Sequence, residues 1–136
     1  TLFTTANTTY LLTQKENDLL NYQLSRIDWA TKQVMEVDTP ALPQQSSLLA
    51  ASKGLFILSQ APQASFWWLA DENEEARLIK TFAAKEYVDL VKVVDEKLYF
   101  QLMRLTQDEP PRELWITNNT GGGMQKLADD LEMLRD

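Results

Sequence analysis

Short apolar segments alternate with polar tips along this chain, and the alternation recurs at a fixed interval. Phe3-Thr4-Thr5-Ala6-Asn7-Thr8-Thr9-Tyr10-Leu11-Leu12 aligns with Leu48-Leu49-Ala50-Ala51-Ser52-Lys53-Gly54-Leu55-Phe56-Ile57. It aligns again with Val91-Lys92-Val93-Val94-Asp95-Glu96-Lys97-Leu98-Tyr99-Phe100, so that Tyr10, Leu55 and Leu98 stand 45 and 43 residues apart. Each copy reads as an apolar strand, a polar three-residue tip and a second apolar strand, which is a hairpin signature. The spacing predicts that these three residues occupy equivalent places in three hairpins.

The register continues downstream. Asn21-Tyr22-Gln23-Leu24, Phe66-Trp67-Trp68-Leu69 and Glu113-Leu114-Trp115-Ile116 form a third strand in each copy. Polar turns follow over 25–32, 70–76 and 117–123, then a fourth strand over 33–37, 77–82 and 124–128. Four short strands per unit of about 45 residues make the blade of a β-propeller. The predicted fold is therefore all-β, a single domain over 1–136 built of three propeller-like repeats, 1–46, 47–89 and 90–136. Asp38 to Ser47, with Pro40 and Pro43, reads as one crossing between blades, and Ala83 to Tyr87 as the other. Leu105 to Arg112 is an insertion that lengthens the third unit.

Two helices compete with this reading. Leu127, Leu131 and Leu134 fall at helical spacing, so a C-terminal helix is expected within Met124 to Arg135, and an α+β alternative adds a helix over Thr13 to Leu24. Three blades are fewer than the four or so a closed propeller needs. The expectation is a pair of copies completing six blades, a piece of a longer propeller, or a terminal helix capping the open side. The first residue, Thr1, is not Met, which reads as a processed or excised chain.

The third unit carries a resemblance. Leu98-Tyr99-Phe100, then Glu113-Leu114-Trp115-Ile116-Thr117-Asn118-Asn119-Thr120-Gly121-Gly122-Gly123, resembles the bacterial ELWxxDGT repeat, with the match spanning 97–129. Glu113, Leu114, Trp115, Thr117, Thr120 and Gly123 stand in matching places, and Asp129 falls where that family often closes its unit with an acidic residue. Asn118 and Asn119 replace Asp-Gly, Met124 replaces the final Thr, and the first two units lack the Gly-Thr signal. The resemblance implies a propeller of a surface or exported bacterial protein acting as an interaction platform. In physical terms, Asn118 to Gly121 suits a tight turn, because Asn and Gly tolerate positive φ. Trp115 offers a large apolar face, expected to be mostly buried between sheets.

Composition narrows the chemistry. The 136 residues hold no Cys and no His, which removes disulfides, thiol nucleophiles, imidazole acid–base work and the usual zinc ligands. Lys+Arg 13 against Asp+Glu 20 gives a net charge of −7, the wrong sign for nucleic acid or anionic lipid. Apolar runs are far shorter than the ~18 residues of a membrane span, so no membrane insertion is expected.

Candidate sites are correspondingly few. Asp71-Glu72-Asn73-Glu74-Glu75 could offer oxygens to a hard cation, but lacks the ordered spacing of a calcium loop and reads as a solvated turn. The loop Asn118 to Gly123 lacks the Gly-Lys-Ser/Thr of a phosphate loop. On an alternating strand Phe66 and Trp68 share one face and Trp67 takes the other, so Trp67 and Trp68 are the candidate ligand-binding residues. No catalytic residue, cofactor or metal is assigned. The expected function is a non-enzymatic protein-interaction or assembly module, exported to the periplasm or cell surface, with a protein partner or a second copy. The alternatives are a periplasmic sensor domain holding a small molecule near the tryptophans, and an acidic cytosolic secretion chaperone.

Overall fold

Runs of β-branched, aromatic and leucine residues separated by polar tips favour strands that pair with their sequence neighbours, and that is the arrangement found. The computed structural model describes residues 2–43, 46–60, 63–106 and 108–130, and among them the regular structure is entirely β. Three antiparallel sheets of four strands each follow chain order. Sheet I holds β1 (Leu2–Thr4), β2 (Thr9–Lys15), β3 (Asp18–Asp28) and β4 (Gln33–Glu36). Sheet II holds β5 (Ser47–Ala50), β6 (Gly54–Ser59), β7 (Ser65–Ala70) and β8 (Arg77–Thr81). Sheet III holds β9 (Glu86–Val94), β10 (Lys97–Arg104), β11 (Glu113–Asn118) and β12 (Gln125–Ala128).

Both helix expectations need correction. Gln125–Ala128 is a strand paired to β11, with Ile116 opposite Gln125 and Leu114 opposite Ala128. The unpaired backbone edge of β11 offers these residues hydrogen bonds that outweigh a helical spacing of leucines, and residues 131–136 lie outside the described ones. The segment Thr13 to Leu24 is the β2–β3 hairpin, reversed at Glu16-Asn17. The third strands also outrun the expected 21–24, since β3 continues to Asp28 and leaves only 29–32 to the turn.

Sheet II lies between the other two. Tyr10, Leu24, Val37 and Leu42 meet Leu55, Ile57 and Leu69 in a first core. Phe56, Leu58, Phe66 and Trp68 meet Val88, Leu98, Phe100 and Leu102 in a second. Because both faces of sheet II are covered, β6 is buried at all six positions, whereas β10 alternates. The ring of Phe66 contacts Phe82 at 5.0 Å and Phe100 at 4.7 Å, both edge to face, and so centres the second core.

The sheets stack in one sense. Ser52 at the first tip of sheet II meets Glu96 at the first tip of sheet III, and Arg77 opening β8 reaches the β11–β12 turn. Between sheets I and II, Asp38, just past β4, forms a parallel bridge with Glu75, just before β8. We call the face toward the next sheet in chain order leading and its opposite trailing.

Tyr10, Leu55 and Leu98 are each the second residue of the second strand of their sheet, and each is fully buried. They do not face the same way. Leu55 and Leu98 lie on trailing faces, whereas Tyr10 lies on the leading face of sheet I and meets Leu55 across the first core. A one-residue slip transfers a strand's side chains to the other face, so the equivalence that keeps direction is Tyr10, Phe56 and Tyr99, offset by 46 and 43 residues.

Candidate functional site

Side-chain hydrogen bonds cross from one sheet to the next at two seams. At the first seam the Tyr10 hydroxyl donates to Asp71 Oδ1 at 2.9 Å, and Thr5 Oγ1 donates to Asp71 Oδ2 at 2.8 Å. Arg26 sits opposite Tyr10 on β3, its guanidinium 5.7 Å from the ring centre, and donates to the carbonyls of Ala70 (3.3 Å) and Asn73. Asp38 completes the seam, its N–H donating to Glu74 and its carbonyl accepting from Ala76. Burial, reinforced by the Asp71 carboxylate, pushes the Tyr10 phenol up to about 12, which keeps it a donor at neutral pH.

The second seam uses different residues in similar places. The Ser52 N–H donates to Glu96 Oε1 at 2.6 Å, and its hydroxyl donates to the same oxygen. Arg77 donates to the Asn119 carbonyl at 2.6 Å. At both seams, then, an arginine of the earlier sheet holds the turn between the third and fourth strands of the later one. Asp95 and Glu96 adopt φ of +52° and +63°, the geometry of a two-residue hairpin turn, which points the Glu96 carboxylate at Ser52.

Trp68 is 6% exposed and packs on Phe56 at 4.8 Å between centroids, on the leading face of sheet II. Trp67 points the other way, partly buried against the first core, with its indole N–H donating to Ser65 Oγ at 2.9 Å. The two rings are thus held in separate cores and do not converge. Asp71 of the acidic run is spoken for by Tyr10 and Thr5, and no cluster of three or more metal-type ligands occurs among the described residues. Asn118 Oδ1 accepts from the N–H and hydroxyl of Thr120, making 118–123 a self-bonded turn with Gly121 and Gly123 at positive φ.

Comparison with known proteins adds no relative. No family model, curated protein or solved structure matches this chain.

Trp115, expected mostly buried, is only partly so. The ladder slips between Leu114 and Trp115, and a slot of about 60 Å³ opens beside the ring, walled by Phe82, Phe100, Trp115 and Met124 and rimmed by Lys80 and Arg104. Trp115 lies across Phe100 at 6.3 Å, nearly parallel, and donates to Glu113 Oε1 at 2.9 Å. Glu113 also accepts from Arg104. A second cavity of about 50 Å³ lies by Leu12, Tyr22 and Leu48. Sequence reasoning missed the Tyr10–Arg26–Asp71 cluster, because no local motif joins residues that only strand register and sheet stacking bring together.

Proposed function

We propose that this chain is a non-enzymatic protein-interaction or assembly module of propeller-type repeats, exported as the ELWxxDGT resemblance implies. One contrast carries the reading. Sheet II, covered on both faces, has an all-buried β6, while among the described residues the trailing face of sheet I and the leading face of sheet III bear apolar side chains with no sheet over them. Stacked units of this kind bury their faces only against a neighbour, so uncovered end faces favour association.

A small-molecule sensor built around Trp67 and Trp68 is less well supported. Both rings serve cores and neither lines these cavities: the enclosed ones of about 50 and 60 Å³ fall far below the ~300 Å³ at which ligand pockets begin, and the larger clefts of about 470 to 580 Å³ are open and walled by polar turns around Thr5, Asp71 and Glu74. The direct test is binding of a hydrophobic dye alongside sedimentation. An interaction module either binds dye as a monomer or associates, and charged substitutions on the end faces abolish whichever is seen. A monomer that binds no dye overturns the reading.

A further inference from the structure

Both internal contacts follow one rule: the leading face of one sheet packs on the trailing face of the next. The two faces left over are of opposite kinds, the trailing face of sheet I and the leading face of sheet III. We propose that these two faces are the halves of one self-complementary contact, through which two copies of this chain join head to tail and close a ring of six sheets. The inference rests on the proposed interaction function and specifies its partner.

The residues on each half support it. On β1 to β4, Leu2 is opposite Leu11, and Thr9 is opposite Ile27, itself opposite Val34, all on the face away from Tyr10. Leu2 and Val34 are each 57% exposed. Trp29, 64% exposed, adds its ring to this face by donating to Thr9 Oγ1 at 3.0 Å. On sheet III, Tyr99 is opposite Ile116, Gln101 opposite Leu114 and Met103 opposite Tyr87, all on the face away from Phe100.

Tyr99 and Ile116 hold the register place that Phe56 and Trp68 fill on sheet II and Tyr10 and Arg26 on sheet I. Both of those pairs cover a following sheet. The turn between β3 and β4, at 29–32, corresponds to the turns that Arg26 and Arg77 hold in sheets II and III. A contact that pairs unlike faces is heterologous, and it closes only if the rotations sum to a full turn. Six sheets fall within the four to eight of known propellers, which three do not.

The experiment is sedimentation velocity on the 136-residue chain at micromolar concentrations up to about 100 µM, where mass action favours a dimer of ordinary affinity. The wild type is expected to dimerise. Val34→Glu on one face and Ile116→Glu on the other should each weaken the dimer by about tenfold or more. Tyr87→Glu, on a side chain already 46% exposed, repeats the sheet III test at little risk to folding. An equimolar mixture of Val34→Glu and Ile116→Glu should regain association, because a mixed pair keeps one intact contact and loses only the other. A dimer that Val34→Glu leaves untouched is face-to-face through sheet III alone and overturns the proposal. So does a wild type that polymerises without closing. A wild-type monomer also overturns it, and if that monomer binds dye the interaction reading survives with a different partner.

Discussion

Tyr10 and Asp71, 61 positions apart in the chain, share a 2.9 Å hydrogen bond that ties the leading face of sheet I to the β7–β8 turn of sheet II. The tyrosine ring is fully buried while Asp71 is partly exposed, so the bond is partly shielded from water, and Thr5 occupies the other carboxylate oxygen. Replacing Tyr10 with Phe strips Asp71 of one donor and should cost about 1–3 kcal/mol in urea unfolding. A cycle with Asp71→Asn should return coupling well above zero; additive losses would show that the bond contributes nothing.

The same tyrosine predicts an alkaline limit. Its folded value of about 12 exceeds the unfolded value near 10, so ionisation favours the unfolded chain. The stabilisation is therefore complete below about pH 10 and lost progressively as pH rises toward about 12, amounting to about 2–3 kcal/mol. In Tyr10→Phe that fall should flatten. Unfolding midpoints measured from pH 9 to about 12 check this, and an identical slope in both proteins would rule it out.

Gly54 opens β6 where no side chain fits. A methyl group there would collide with the Leu69 carbonyl and come within 2.9 Å of the Trp68 ring. Neither neighbour can yield, one being backbone and the other packed on Phe56. Gly54→Ala should cost about 3 kcal/mol or more, seen as a lowered thermal midpoint. A neutral result would mean that β6 and β7 sit further apart.

Phe100 and Trp115 should separate by burial. Phe100 is fully buried, so truncation to Ala should cost about 3–5 kcal/mol. Trp115 borders the open slot and should cost less, about 2–3 kcal/mol, because water already reaches part of its ring. Equal losses would place Trp115 in the core as firmly as Phe100.

Two carboxylate partnerships should also differ. Glu113 is 8% exposed and accepts from both Arg104 and Trp115, so Glu113→Ala should destabilise by about 1–3 kcal/mol. The Lys126–Asp129 pair lies in solvent, raising the lysine through its bond to Asp129 and lowering the aspartate in turn. Lys126→Ala should leave the urea midpoint unchanged. A large shift there would reveal that β12 is anchored through that pair.

Strand placement was legible in the chain because alternation, polar tips and turn residues act over a few neighbours, and the 43-residue step from Leu55 to Leu98 survives as a true structural equivalence. The opposite faces of Trp67 and Trp68 followed from the pleat alone. Which face meets which sheet did not, because it turns on the phase of one residue: Tyr10 sits at the expected place in its strand and faces the other way from Leu55 and Leu98. The fate of Gln125–Ala128 was likewise decided by a backbone edge at β11 that exists only once sheet III has formed. Local composition thus determined the strands and their repeat, while stacking, a non-local competition for faces and edges, decided the cores, the seams and the two surfaces left uncovered.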